Sequence, residues 1–426
     1  MSFRKKIFFV ILALNAVPFS YWLTSIPGVG LWGALRGQTL YAIASMGLFG
    51  LLIILRVQTS LRSLSIILPF ILLMFYGVVF SWLTGAVTPN AMNLYFRITY
   101  VVLFILMFRT IDFNAEELFR GFIYSGIAIA LITVILTDGF TNQQYFSYEL
   151  GVRRFRGLGS MLGYGNYFSL LAVLLYVGIR EKKFPAVYGY LLFIFFFYNL
   201  ALTAARSALL GLVLPITLYE WLFNGNQSKI RRMFLLSVIL MVAFITVFYG
   251  PIASRVTMST NLHKFTAGRY DSWIYIWNLN TSPLRYIWGL GPGQTETLLR
   301  NQHLQMLHND NLQIYFDFGL VGIFIWIGFF IGLFKKGLKR LKYPYPEISF
   351  ATKLALISLA AFFVRSNVDT LLHHYTHFVL YLIFPLFVFR LKSRKNGKYQ
   401  RPVYPVLPRS RRILYPFHIR QTTFRR

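Results

Sequence analysis

Long apolar runs recur along the chain from about residue 7 to residue 391, and short polar segments separate them. Most runs are close to the ~20 residues that an α-helix needs to cross ~30 Å of hydrocarbon. Hydropathy therefore predicts an all-α polytopic membrane protein with about twelve transmembrane helices. The predicted spans lie near residues 7–26, 38–55, 64–83, 95–110, 119–137, 159–179, 184–203, 206–224, 233–250, 318–336, 350–366 and 376–391.

The composition excludes a soluble globular enzyme. Hydrophobic residues make up 56% of the chain and charged residues only 13%, whereas an ordinary soluble domain carries roughly 25% charged residues. There is no cysteine, which excludes disulfides, thiolate metal sites and cysteine nucleophiles.

The charge distribution predicts the orientation. The chain has 43 Lys and Arg against 13 Asp and Glu, a net charge of +30. If the N-terminus is cytoplasmic, the basic connections at 180–183, 229–232 and 335–342 also lie inside, as the positive-inside rule requires. Both termini are then cytoplasmic. The first span has a basic start and no cleavage pattern after it, so we interpret it as a retained signal anchor.

The spans divide the chain into four parts. Residues 1–250 hold the first nine helices, 251–317 form one long extracytoplasmic loop containing short helices, and 318–391 hold the last three helices. Residues 392–426 are basic and interrupted by proline, which predicts a disordered cytoplasmic tail. This tail suits a tether to anionic membrane lipids better than nucleic-acid binding.

The long loop holds several turns and one predicted helix. Residues 268–280 (GRYDSWIYIWNLN) place Trp273 and Trp277 on one face, which indicates a helix at the membrane interface. The following SPLRYIWGLGPGQ is rich in turn-forming Gly and Pro. A nucleotide-binding glycine loop would need a βαβ unit around it, so we do not interpret these glycines that way.

His308 is a candidate general base. It opens the sequence His-Asn-Asp-Asn just before the tenth span, and imidazole accepts a proton near neutral pH when a partner orients it. Asp310 is too near in sequence to be assumed as that partner. Simple solvation or packing of His308 is the alternative.

Arginines near the predicted outer face form a second candidate group. Arg206 is flanked by apolar residues at the junction of two spans, where a guanidinium costs about 2.5–3.5 kcal/mol and usually has a partner. Its planar donors suit phosphate or carboxylate, although snorkelling to the lipid headgroups is an alternative. Other outer-face cations that could join it are Arg153, Arg154, Arg156, Arg269 and Arg365.

A metal site is the less favoured interpretation of a third cluster. Asp369, His373 and His377 are spaced i, i+4 and i+8 and would share one face of a helix. No fourth ligand is evident, so an interfacial polar rim is favoured and no metal is assigned.

Four segments resemble the bacterial O-antigen ligase and polymerase superfamily. They are residues 154–174, 203–212, 268–273 with SPLRYIWGLGPG after it, and 308–322. Their order around one long loop carries the resemblance. The family often has Pro before the Asn where this chain has Gly165 before Asn166, and Glu where this chain has Asp317.

The resemblance implies a membrane glycosyltransferase of the bacterial cytoplasmic membrane. Such an enzyme moves a glycan from undecaprenyl diphosphate to an acceptor hydroxyl at the outer face, without cofactor, nucleotide sugar or metal. Arg206 and Arg269 would hold the diphosphate, His308 would take the proton, and Arg154 and Asn309 would be further substrate contacts. No nucleic-acid partner is implied.

Three questions stay open at the level of sequence. A lipid A-core acceptor would make the protein a ligase, and a second lipid-linked glycan would make it a polymerase. A polysaccharide transporter or flippase would be expected to carry central intramembrane charges, whereas the unusual polar residues here gather at one end. A membrane scaffold using the basic tail would leave the arginines and His308 unexplained.

Overall fold

The computed structural model describes most of the chain. The described residues are 3–16, 37–54, 64–84, 88–143, 146–149, 152–155, 161–203, 205–223, 269–279, 282–304, 306–342, 345–369, 371–372 and 374–390. The predicted ninth span at 233–250, residues 251–268 of the long connection and the predicted tail lie outside them.

Helices dominate this part of the chain. They are α1 (Phe3–Ala16), α2 (Gly37–Ile54), α3 (Leu64–Thr84), α4 (Pro89–Arg109), α5 (Ala115–Leu136), α6 (Met161–Arg180), α7 (Ala186–Leu202), α8 (Arg206–Phe223), α9 (Arg269–Leu279), α10 (Pro283–Trp288), α11 (Gln294–Asn301), α12 (Asp310–Leu341), α13 (Pro346–Val368) and α14 (Tyr375–Arg390). Strands β1 (Phe146–Glu149) and β2 (Val152–Phe155) pair as a short antiparallel hairpin between α5 and α6. The predicted all-helical fold is confirmed apart from this hairpin.

Several helices have the character of membrane spans. Among the described residues, five helices are long and apolar enough to cross a membrane, and they fall within α3, α4, α5, α12 and α13. The apolar helices in α2, α7, α8 and α14 are shorter. Large apolar side chains such as Phe75, Trp82 and Ile135 are exposed on the outside of the bundle, as expected for a surface that faces lipid. The total of twelve spans stays a prediction.

The interior is built around α14. Every residue from Tyr375 to Val388 is buried, so this helix is enclosed by protein on all sides. Helices α12 and α13 pack against it through aromatic side chains. Phe330 stacks on Phe362 at 4.4 Å between ring centres, and Trp326 stacks on Phe378 at 5.7 Å. These contacts fix the relative positions of α12, α13 and α14, whose ends carry the polar residues described below.

Ion pairs join the helices at one end of the bundle. Lys5 of α1 lies 2.6 Å from Glu117 of α5, and Lys353 near the start of α13 lies 2.7 Å from Glu181 just after α6. Because α13 runs from Lys353 towards Asp369, Asp369 lies at the opposite end. One end of the bundle therefore carries the ion pairs of Lys5 and Lys353. The other end is formed by the end of α13 and the starts of α12 and α14.

Helix α12 is interrupted at Gly319, which has a φ of 63° and a ψ of −161°. A break in a membrane helix frees backbone groups that need new partners. Here the carbonyls of Phe316 and Asp317 accept hydrogen bonds from the backbone N–H groups of Leu290 and Gly291, at 2.7 and 3.1 Å. The glycine-rich turn after α10 therefore supplies the hydrogen-bond donors that the carbonyls at the break in α12 need.

The close approach of these two segments requires glycine on both sides. A Cβ at Gly319 would lie 2.2 Å from the carbonyl oxygen of Ile287, and one at Gly289 would lie 2.5 Å from that of Asp317. The Asp317 side chain adds a further link, since its Oδ1 accepts a hydrogen bond from the Thr295 N–H at 3.0 Å. Asp317 therefore holds the start of α11 against α12.

Candidate active site

A polar cluster lies where the end of α13 meets the start of α12. His308 stands directly before Asn309, the N-cap of α12, and Asp369 directly follows α13. Nδ1 of His308 lies 3.6 Å from Oδ1 of Asp369, and the exposed fractions of the two side chains are 22% and 1%. The imidazole therefore lies between a buried carboxylate and the surface.

The backbone of His308 is held in an unusual conformation. Its φ of 50° is in the left-handed region, which costs about 1–3 kcal/mol for a residue other than glycine and persists only where neighbouring contacts impose it. On one side, the Leu307 carbonyl accepts a hydrogen bond from Nε1 of Trp273 at 2.8 Å. On the other, Oδ1 of Asn309 accepts one from the Leu312 N–H at 3.0 Å. Contacts of the residues on both sides thus hold the backbone at His308.

Two buried side chains hold Asp369. Nη2 of Arg365 donates to Oδ2 of Asp369 at 2.7 Å, and Nδ2 of Asn166 donates to the same oxygen at 3.3 Å. Gly211 leaves room for the arginine, because a Cβ there would lie 2.7 Å from its Cδ. Burial alone would raise the pKa of Asp369, but the neighbouring His308 and Arg365 lower this pKa well below its usual range. The carboxylate is therefore ionised at neutral pH.

The other polar residues of the His-Asn-Asp-Asn sequence connect the start of α12 to the last turn of α13 and to the segment after it. Nδ2 of Asn309 donates to the carbonyl of Asn367, and Nδ2 of Asn311 donates to the side-chain oxygen of Asn367, both at 3.1 Å. The carboxylate of Asp310 accepts from the backbone N–H groups at 371–372 at 3.0–3.2 Å. Asn309, predicted as a substrate contact, has both its polar groups engaged with the chain itself.

Arg269 joins the same cluster. It is the first residue of α9, and its Nη1 donates to the carbonyl of Val368 at 2.9 Å, one residue before Asp369. Helix α9 coincides with the helix predicted at 268–280, and its Trp273 holds the residue before His308. The structure therefore brings Arg269, His308 and Asn309 together.

The backbone of Arg206 begins a helix near the cluster, and the backbone of Arg154 lies in the hairpin. Arg206 is the first residue of α8, and the start of this helix packs on α6: a Cβ at Gly165 would lie 3.3 Å from Ala208. Because Gly165 adjoins Asn166, which contacts Asp369, the start of α8 is close to the cluster. Arg154 lies in β2, where it pairs with Ser147 of β1.

Sequence reasoning missed the residues that surround Asp369. It named Arg365 only as an outer-face cation and gave Asn166 no role. One local signal was present, because Arg365 and Asp369 are four residues apart and can pair at the end of a helix. Asn166 is 203 residues away in sequence, so no local pattern could indicate its contact.

The helical spacing considered for a metal site is wrong. Helix α13 ends at Val368 and α14 begins at Tyr375, so Asp369 and His377 do not share a helix. His373 lies outside the described residues. Within the described part of the chain, no group of three or more His, Asp or Glu side chains could hold a metal ion.

An apolar groove of about 760 Å³ opens between α8, α12 and α13. It is lined by Leu214, Pro215, Thr217, Leu218, Trp221, Phe330, Ile331, Phe334, Ala360, Phe363 and Val364. Leu214, Trp221 and Ile331 are exposed at the surface of the bundle, so the groove opens sideways. Its lining ends at Val364, next to Arg365.

A family model matches part of the chain. Residues 191–327 match the model described as O-antigen ligase, a segment that contains Arg206, Arg269 and His308 but not Asp369. No curated protein matches the chain. The match supports the O-antigen ligase-like superfamily and confirms the resemblance found in the sequence. With the apolar helices, it indicates a membrane enzyme of the glycan-transferring ligase or polymerase type.

Proposed function

We propose that this protein transfers a glycan from undecaprenyl diphosphate to an acceptor hydroxyl, with His308 as the general base. The observation that carries this proposal is the position of His308. It is partly exposed, held in a left-handed backbone conformation, and packed against an ionised carboxylate at the end of the bundle. An imidazole held in this way can receive a proton from a bound hydroxyl.

The reaction is a displacement at the anomeric carbon of the donor sugar. The acceptor oxygen forms a bond to this carbon, and the hydroxyl proton passes to His308. The bond between the anomeric carbon and the diphosphate oxygen breaks, and its electron pair stays on the diphosphate. The products are the extended glycan and undecaprenyl diphosphate.

Arginines stabilise the charge that grows on the leaving diphosphate. Arg269 contacts the carbonyl of Val368, and Arg206 begins α8, whose start packs against the helix that carries Asn166. Guanidinium groups bind phosphate through two parallel hydrogen bonds. Removing one preorganised donor of this kind typically raises a barrier by about 3–4 kcal/mol. Arg154 of the hairpin is a further candidate for the donor site.

The apolar groove suits the lipid chain of the donor. It opens sideways, and Val364 of its lining directly precedes Arg365 on α13, so we expect a chain lying in it to direct its head group towards the cluster. The ion-paired lysines Lys5 and Lys353 lie at the other end of the bundle. By the positive-inside rule, that end is cytoplasmic and the cluster faces the outer side of the cytoplasmic membrane. Both ends of the chain then lie in the cytoplasm.

The test is a transfer assay with purified lipid-linked glycan and the variant His308→Ala. Transfer is expected to fall by about 10²–10⁴-fold, while binding of the donor stays within about twofold of wild type. The matched control is His303→Ala, because His303 also has a positive φ, of 55°, and is exposed in the same connection. Normal product from the His308 variant would contradict the general-base assignment.

The acceptor decides between ligase and polymerase. Donor alone yielding a ladder of lengthened glycans would identify a polymerase, and a single adduct that requires lipid A core would identify a ligase. A transporter is the alternative. Movement of the lipid-linked glycan across liposomes by the purified protein, without any transfer product, would replace the proposed function.

A further inference from the structure

We propose that Asp369 is a positioning residue that orients His308 for proton abstraction, and that Arg365 and Asn166 hold Asp369 in place. The inference rests on the proposed function, because it assigns the group through which His308 acts. Neither Asp369 nor Arg365 belongs to the segment that matches the family model, which ends at residue 327.

The geometry determines which nitrogen of His308 is the base. Nδ1 is buried, faces Oδ1 of Asp369 at 3.6 Å and makes no hydrogen bond to another described residue. A proton on Nδ1 is attracted to this carboxylate, so the neutral ring has its lone pair on Nε2, on the far side of the ring. The separation exceeds a normal N–H···O distance, and catalytic contacts often shorten when substrate binds.

The support for Asp369 is rigid. Both oxygens of its carboxylate have assigned neighbours: Oδ1 faces His308, while Oδ2 accepts from Arg365 and Asn166. The Arg365 and Asp369 side chains are 0% and 1% exposed. Asp310, the carboxylate nearest in sequence, is occupied by the backbone N–H groups at 371–372 and is not aimed at the ring.

The carboxylate also stabilises the imidazolium that forms during the reaction. His374, from the segment before α14, interacts with His308, Asp369, Arg97 and Arg365. Asp310 interacts with Asp369, and Arg269 from α9 contacts the carbonyl of Val368. The three arginines disfavour a second positive charge, and Asp369 is the carboxylate that faces the ring, because that of Asp310 accepts hydrogen bonds from the backbone N–H groups at 371–372. A general base beside such a carboxylate gains both orientation and charge stabilisation.

The first test is Asp369→Asn, which keeps the shape of the side chain and removes its charge. We expect the turnover to fall by at least about 100-fold while the KM for the donor changes less than threefold. Glu296→Gln is the matched control, because Glu296 is also buried and pairs with a buried arginine, Arg97, at 3.7 Å. This control is expected to keep its turnover within about threefold of wild type.

A double variant separates positioning from general damage. If Asp369 acts through His308, adding Asp369→Asn to His308→Ala changes the residual transfer less than twofold. A further large loss in the double variant would show an independent structural effect and overturn the inference. If Asp369→Asn has wild-type turnover while His308→Ala is inactive, this inference is overturned and the proposed function is not. If both single variants keep their activity, the assignment of His308 as the general base is overturned as well.

The pH profile gives a readout that a purely structural role would not move. Without the carboxylate, the acidic limb of the turnover profile of Asp369→Asn is expected to move to lower pH, because protonation of the base is less favoured. An unshifted limb with a uniformly lower rate would contradict the inference. If Asp369→Asn does not fold, Asn166→Ala decides: it keeps the charge, loses one support of Asp369, and is expected to turn over about five- to tenfold more slowly. Wild-type turnover there would also overturn the inference.

Discussion

Replacing Gly319 with alanine tests whether the break in α12 depends on close backbone contact. The φ and ψ of Gly319 lie in a region used almost only by glycine, and another residue there costs about 1–3 kcal/mol. The new Cβ would lie 2.2 Å from the carbonyl oxygen of Ile287. Relieving this overlap requires the two segments to separate.

That separation breaks the two backbone hydrogen bonds from Leu290 and Gly291 to the broken helix. Each contributes about 0.5–1.5 kcal/mol. With the backbone cost, the total loss of stability for Gly319→Ala is roughly 2–6 kcal/mol. The measurement is the melting midpoint of the purified protein in detergent, and we expect it to fall by several degrees.

Two other glycines of the same chain serve as controls. Gly139 has a φ of 67°, but a Cβ added there would meet nothing within 4 Å, so Gly139→Ala isolates the backbone cost. Gly328 lies in α12 with the same open space and an ordinary helical backbone, and alanine there is expected to be neutral or slightly stabilising. If the melting midpoint of Gly319→Ala equals that of Gly139→Ala, the close contact with Ile287 contributes nothing. If it equals that of Gly328→Ala, the reasoning is refuted altogether.

Three further predictions concern buried titratable residues. Asp310→Ala removes the acceptor of the backbone N–H groups at 371–372 and should lower the melting midpoint more than Glu347→Ala, a change at an exposed residue; equal midpoints would contradict this. Asp317→Ala removes the acceptor of the Thr295 N–H, and a loss of about 1 kcal/mol is expected from the cap of α11, which an unchanged midpoint would exclude. Burial lowers the pKa of His374 from 6.5, so the unfolded chain binds a proton that the folded protein does not. Stability should therefore fall as the pH drops below about 6.5, and a midpoint as pH-dependent in His374→Gln as in wild type would show that another group is responsible.

Hydropathy predicted most helices because lipid leaves the backbone few alternatives to a helix. The fourth span shows where it fell short: the helix begins at Pro89, not near 95, because Thr88 accepts a hydrogen bond from the Ala91 N–H and caps it. Caps depend on single polar residues that hydropathy ignores. The break at Gly319 was also missed. The predicted tenth span begins at residue 318, whereas α12 begins at Asp310, and the break within it depends on a turn about 30 residues earlier.

For the candidate site too, the sequence indicates some of the residues but not their arrangement. His308 and Arg269 stand out in the sequence because each places a reactive or charged side chain at an apolar boundary. Their arrangement was not predictable, since Asn166 lies in α6, His308 precedes α12 and Asp369 follows α13, and only the folded bundle brings them together. What the sequence contained locally was the spacing of Arg365 and Asp369.

Under the proposed function, the groove between α8, α12 and α13 has a consequence for how the donor is selected. Lipid chains in a bilayer are as apolar as the side chains that line the groove. A chain that moves from the bilayer into the groove therefore leaves no contact with water, and the hydrophobic effect does not drive this transfer. The free energy that selects a lipid-borne donor has to come from its polar head group. Occupancy then depends on the share of donor among the membrane lipids, and not on its amount per volume of solution.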